Sequence, residues 1–360
     1  MNKFAFIIHP IELADIYRKF PLMSKLPDNF VERVFKFVPP VKISKIEGVR
    51  SIEGPEVEGY FIACPLTTNQ LLTLPEEVSL KKIIASVKTA EQLGAQIVGL
   101  GAMTSVVGDA GVTVAKNSNI PVTTGNTYTV ASAIEGTLEA AALMDIDITS
   151  ANVVILGATG SIGSVAARML AKRCKYLTLL ARSKDKLTQL ARRILYESGI
   201  AVQVSDDSRN VLRKADIIIS VTSASDAVIQ PEDLKPGAVV CDVARPRDVS
   251  FQVQEARQDV LVVEGGVIKV PGPVNFNFNF GFPPGLAYAC MAETMILALE
   301  GRFESFSLGR DLSMEKVEEI TALAKKHGFK LSGLRSFERA ITPEIIREVK
   351  RARSKKLQVV

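Results

Sequence analysis

Short apolar runs alternate along this chain with segments in which apolar residues recur every three or four positions. These are the signatures of buried strands and of helices with one buried face. Before residue 150, Lys3–Ile8, Tyr60–Cys64, Ile97–Leu100 and Pro121–Thr123 read as strands, and Leu80–Leu93 and Val130–Met144 as helices. Beyond it, Val153–Leu156, Tyr176–Ala181, Ala215–Ser220, Ala238–Asp242 and Val260–Glu264 read as strands, each ending in small or polar residues. Helices are predicted over Leu286–Glu300, stopped by Gly301, and over Met314–His327, opened by Ser313 as N-cap and closed by Gly328. The stretch Asn275–Phe280 has period two, with Phe276, Phe278 and Phe280 facing one way and asparagines the other. That suits a half-buried extended segment or one wall of an apolar groove. Alternation of strands and helices on both sides of residue 150 predicts an α/β protein with two α/β domains.

Val153–Leu156 runs into Gly157-Ala-Thr-Gly-Ser-Ile-Gly163, three glycines at G-x-x-G-x-x-G spacing, and an alanine-rich helical run, Ser164–Arg173, follows. Strand, glycine turn and helix together form a cradle for a dinucleotide. The glycines let the backbone turn tightly and approach the pyrophosphate, and the helix N-terminus faces the negative charge. Gly157, Thr159, Gly160, Ser161, Ile162 and Gly163 are the candidate contacts, with Thr222, Gly265 and Gly266 at later strand ends completing the set. The next strand ends at Arg182-Ser183-Lys184-Asp185-Lys186, where an NAD site usually places an acid for the ribose 2′-hydroxyl. Arg182, Ser183 and Lys186 suit a 2′-phosphate instead, which points to NADPH; a solvated basic loop holding Asp185 is the other way to read them. The domains expected are an N-terminal α/β substrate domain over 1–149 and a Rossmann NADP-binding domain over 150–274. A C-terminal helical segment over 275–360 would pack between the two.

Length and composition narrow the class. The 360 residues suffice for two full cores, and a net charge of +5 does not demand nucleic acid. Basic residues gather in the tail at Arg347, Lys350, Arg351, Arg353, Lys355 and Lys356, a frayed helix end or a docking patch for an acidic partner. The longest apolar runs fall short of the ~18 residues that span a bilayer. The opening MNKFAFIIHPIEL is broken by Pro10 and Glu12 and reads as a first strand, not a signal peptide. Four scattered cysteines, Cys64, Cys174, Cys241 and Cys290, fit a reducing cytoplasm and no metal site.

Cys290 is the candidate nucleophile. It sits near the start of the Leu286–Glu300 helix, where the dipole favours thiolate, although Glu293 at i+3 works against it; from composition alone it reads more readily as a small core residue than as a nucleophile. Cys64, before Pro65, is a second site position, and Cys174 and Cys241 look structural. His9 ends the first strand and reads as a structural histidine or a proton donor, and His327 as a cation at a helix C-terminus. Thr104 and Ser105, and the group Thr124-Gly-Asn-Thr127, are candidates for holding a carbonyl, or simple turn chemistry.

The chain resembles the long-chain acyl-carrier-protein reductases known best from cyanobacteria. The likeness touches Phe6–His9, Leu100–Ser105, Thr124–Thr127, Gly157–Gly163 and Glu264–Val267. It is most specific at Ala289-Cys-Met-Ala-Glu293, Leu299-Glu-Gly301, Phe306–Arg310 and Lys326-His-Gly-Phe329. More distantly the layout is similar to shikimate dehydrogenases. The resemblance implies NADPH-dependent reduction of a long-chain fatty acyl thioester to a fatty aldehyde. Cys290 would carry the acyl group, and Ser105 and Asn126 are nominated to hold the oxyanion. Residues 269–285 and the tail after Thr342 depart from the cyanobacterial pattern, so the donor is open between acyl carrier protein and CoA. The alternatives are a shikimate-like dehydrogenase of a small hydroxy or keto acid, whose N-V-T-x-P-x-K segment is not found, and a non-catalytic NADPH-binding module.

Overall fold

The computed structural model describes residues 1–359, which group into two compact units. The first holds Met1–Asn126, Lys269–Arg310 and Glu319–Lys330; the second holds Thr127–Ile268, Asp311–Glu318 and the residues from Leu331 onward. The residues after Ile268 are thus shared between the units.

In the first unit, β1 (Asn2–Ile8), β2 (Val41–Arg50), β3 (Glu56–Ala63), β4 (Ile97–Leu100) and β5 (Val122–Thr123) form a sheet in the order β2-β3-β1-β4-β5. All neighbours are parallel except β2 against β3. The central strand β1 is apolar on both faces, as a parallel strand covered on both sides must be. Ala5 and Ile7 join a core with Ile83, Val87 and Ala90 of the helix Glu76–Gln92. On the opposite face, a Cβ added at Gly99 would stand 2.1 Å from Thr294 Oγ1 and 2.5 Å from the Phe6 ring. Glycine there is what lets the helix Ala289–Glu300 lie directly on the sheet. The edge strand β2 was not foreseen. Only part of it is buried, and its register shifts twice against β3, so the alternation that betrays a strand is lost.

The phenylalanine–asparagine run lies along this edge. Asn275 exchanges backbone bonds with Glu47, Ser44 Oγ donates to Phe276 O and Asn277 Nδ2 donates to Lys45 O. Phe276, Phe278 and Phe280 pack around the Phe61 ring at 6.0, 6.0 and 5.6 Å. The rings share one side and join the core of the unit, but the segment is not a regular strand: only Asn275 bridges to β2, and Asn277 takes φ +48°.

In the second unit, β6 (Asn152–Leu156), β7 (Tyr176–Leu180), β8 (Gln203–Ser205), β9 (Ile217–Ser220), β10 (Val239–Asp242) and β11 (Leu261–Glu264) form an all-parallel sheet. Its order, β11-β10-β9-β6-β7-β8, reverses direction between β6 and β9, the switch point of a doubly wound dinucleotide-binding sheet. β9, β10 and β11 are fully buried runs and β6 is buried after Asn152, which is why the sequence pattern located them within a residue or two, whereas β8, largely exposed, was not foreseen. The helix Lys184–Ser198, in contrast, lay hidden in what read as a basic loop. The basic tail forms the helix Pro343–Val359, where Lys350 pairs with Asp145 and Arg353 donates to Met144 O.

Candidate active site

The glycine turn leaves β6 at the switch point. Gly157 adopts φ +85°, and a Cβ there would stand 2.7 Å from Val221 O. At Gly163 a Cβ would meet Gly157 O at 2.4 Å, so only glycine lets the helix Ser161–Leu170 start so close to the strand. Gly160 is the N-cap of that helix. Leu180 O, at the end of β7, accepts from both Gly157 N and Ala158 N at 2.9 and 3.0 Å, so the end of β7 is bound to the turn. The backbone approaches closely, a Cβ at Gly160 would meet only Gly157 O, at 3.3 Å, and a helix begins there with the N–H groups of its first turn unpaired within the helix. These features fit a pyrophosphate.

Arg182 lies two residues past the end of β7 and is exposed, as is Lys186. Ser183 caps the helix Lys184–Ser198, its Oγ accepting the Lys186 N–H. Two cations and a hydroxyl therefore stand beside the glycine turn, where a ribose 2′-substituent falls in a dinucleotide site. Thr222 is placed otherwise than expected. Its hydroxyl and its N–H both donate to Asp248, which also takes the Ser220 hydroxyl at 2.6 Å. Its hydroxyl and N–H brace the loop after β9 through Asp248. Asp248 went unread because 28 residues separate it from Ser220. Gly265 and Gly266 follow β11, where Gly265 presses on Val243 and Gly266 takes φ +82°. Nearby Asp242 is buried, which pushes its carboxyl up to about 6, and it accepts backbone N–H bonds from Ala244, Asp248 and Val249.

In the first unit, the helix expected from Leu286 begins at Ala289. Leu286–Tyr288 is extended, and Tyr288 serves as N-cap at φ −68°, ψ 149°. Cys290 is therefore the second helical residue, deeper in the dipole than the sequence suggested. It is partly exposed, whereas Cys64, Cys174 and Cys241 are buried. Burial pushes those three thiols up to about 12, 11 and 12, so Cys64 is withdrawn as a site position.

Gly125 explains the neighbourhood of Cys290. It has φ +72°, and a Cβ there would stand 2.3 Å from Cys290 Cα and 2.6 Å from Cys290 O. The strip Thr123–Asn126 is thus pressed onto the first turn of the cysteine helix. One turn on, fully buried Glu293 accepts hydrogen bonds from Thr123 Oγ1 and Ser307 Oγ at 2.5 and 2.6 Å, and Thr124 binds Ser307 O through both its N–H and its hydroxyl. Asn126 follows directly and is buried. Ser105 Oγ donates to Ala102 O at 2.7 Å within its own turn. Sequence reading had grouped Gly125 with turn residues; its positive φ was inferable, its contact with residue 290 was not.

The histidines are structural. His9 Nδ1 lies 2.9 Å from Pro10 O, which can only accept, and Nε2 lies 3.1 Å from Met103 N, which can only donate. The ring is therefore a neutral Nδ1–H tautomer, and burial pulls its pKa down to about 4. His327 does not cap its helix through its ring. It is buried between Ser51 Oγ and the Glu300 carboxylate at 2.9 and 2.8 Å.

Known proteins share parts of this arrangement. Residues 139–263 match the family model described as shikimate / quinate 5-dehydrogenase. The chain is 32% identical over 364 residues to the aminotransferase PigE of a Serratia species, covering 97% of this chain and 42% of that protein. It is 28% identical over 320 residues to the long-chain acyl-[acyl-carrier-protein] reductase of Synechococcus elongatus, covering 84% of this chain and 91% of that protein. It is 25% identical over 182 residues to the glutamyl-tRNA reductase of Cyanophora paradoxa, covering 48% and 41%. The chain thus spans less than half the length of the Serratia and Cyanophora proteins. A dehydrogenase family model matches within the second unit and reductases match along the chain, which supports an NAD(P)-dependent oxidoreductase.

Proposed function

We propose that this chain uses NADPH to reduce a long-chain fatty acyl thioester to a fatty aldehyde through a thioester on Cys290. The observation that carries this reading is the placement of Cys290, the one cysteine of the four not sealed in a core, in the first turn of a helix. The likeness to the Synechococcus reductase along 84% of the chain supports the substrate class. Arg182 and Lys186 beside the glycine turn support NADPH over NADH.

Cys290 Sγ, as thiolate, adds to the thioester carbonyl; the carbon–sulfur bond to the carrier breaks, and the carrier thiol leaves with a proton. Bound dinucleotide supplies the hydride. In the hemithioacetal that results on Cys290 the oxygen re-forms its carbonyl as the bond to Sγ breaks, which releases the aldehyde and restores the thiolate. Charge on the acyl oxygen needs donors near Cys290. Asn126, the neighbour of Gly125, is the first choice, and Ser105, whose hydroxyl serves its own turn, is second.

The test is intact-protein mass spectrometry after exposure to long-chain acyl-CoA and, separately, to long-chain acyl carrier protein, without NADPH. One acyl adduct is expected on the wild type and none on Cys290→Ala, and the better donor identifies the carrier. Aldehyde formation by Cys290→Ala at the wild-type rate sinks the proposal.

A further inference from the structure

Six large apolar side chains stand exposed between residues 20 and 37: Phe20, Leu22, Leu26, Phe30, Val34 and Phe37. They belong to the helix Asp28–Phe37 and the turn Pro21–Lys25 with its flanks, which follow the helix Leu13–Lys19. This stretch already has an inward side, where Ile16, Val31 and Phe35 form a small core. The exposed residues make a second apolar side. At about 100° per residue, Phe30, Val34 and Phe37 fall within about 60° of one another, Arg33 borders them, and Asp28 and Glu32 lie on roughly the opposite side. The acids turn inward or pair locally: Asp28 accepts the Tyr17 hydroxyl, Glu32 accepts the Thr67 hydroxyl and Asp15 pairs with Arg18. Lys25, Arg33 and Lys36 have no ion-pair partner among the described residues.

We infer that this face docks on the surface of an anionic lipid bilayer. Two features select that occupant. Leu22 and Phe37 protrude with 78% and 81% of their surface exposed, on separate elements, as side chains do that wedge among headgroups. The cations bordering them complement anionic headgroups. A second copy of the chain would set those cations against their own kind across a two-fold axis. The inference stands apart from the proposed reaction, although a fatty aldehyde would partition into the same phase.

The experiment is co-sedimentation of the full chain with extruded phosphatidylcholine vesicles, with and without phosphatidylglycerol. Wild type should sediment with the anionic vesicles, more weakly with the neutral ones, and come off as sodium chloride is raised. Phe30→Ser with Phe37→Ser should lower binding at least about tenfold at an unchanged melting temperature and NADPH affinity. Should that variant fail to fold, Lys25→Glu with Arg33→Glu, both at exposed positions, should abolish the preference for anionic vesicles. Sedimentation that none of these changes lowers, or no binding to either vesicle, overturns the inference. So does a dimer in light scattering that the phenylalanine variant dissociates, which would assign the face to a second copy.

Discussion

Three of the four cysteines sit in packed interiors, where desolvation holds the thiol protonated, and the fourth opens a helix. At the scale of single residues, that contrast is what singles out Cys290 as the proposed nucleophile. Gly125 is the residue that fixes where this sulfur stands. Its left-handed backbone excludes a side chain, and its van der Waals contact with Cys290 leaves no room for one. Gly125→Ala should therefore cost about 2 kcal/mol or more, from the left-handed conformation and the forced separation of the two backbones. Thermal unfolding and the rate of Cys290 alkylation by iodoacetamide measure it. An unchanged melting temperature with unchanged alkylation would show that the strip and the helix do not depend on each other.

At the scale of elements, the unit that matters is strand, glycine turn and helix, with the end of the neighbouring strand tied to it. Because Leu180 O holds the turn, the residues just after β7, Ala181 and Arg182, are tied to it, and the proposed NADPH site has Arg182 there. Arg182→Asp should weaken NADPH binding at least about tenfold more than NADH binding, since it removes a charge-assisted contact to phosphate and adds repulsion. Fluorescence titration with the two coenzymes decides it, and equal losses would mean that Arg182 does not meet the phosphate. Much of this element was legible, because glycine spacing and a buried apolar strand are local properties of the chain. The helix after Arg182 was not, since its exposed lysines and arginines masked the apolar stripe of Leu187, Leu190 and Ile194.

For the whole molecule, stability should depend on pH through His9. Its folded-state pKa, about 4, lies below its ordinary 6.5, so the unfolded chain takes up the proton first. The stabilisation is complete above about pH 6.5 and is lost as pH falls toward 4, up to about 3 kcal/mol in all. Urea unfolding at pH 7.5 and 5.0 should show the loss in wild type. His9→Gln, which keeps a donor and an acceptor but does not titrate, should be less stable at pH 7.5 and change less between the two. An equal change in both proteins would assign the acid sensitivity elsewhere. Among the described residues, no helix is long and apolar enough to cross a membrane.

The sequence by itself determined the α/β class, the strand–glycine–helix cradle, the cations at the end of β7 and the cysteine near a helix start. Each depends on neighbours within a few positions, where periodicity and backbone sterics act. Tertiary structure alone decided that Cys64 is sealed and Cys290 is not, that Thr222 braces Asp248, that His9 is a neutral link, and that Gly125 lies on Cys290. Those outcomes come from contacts between residues far apart in the chain, set by how helices and strands pack, and packing leaves no local pattern to read.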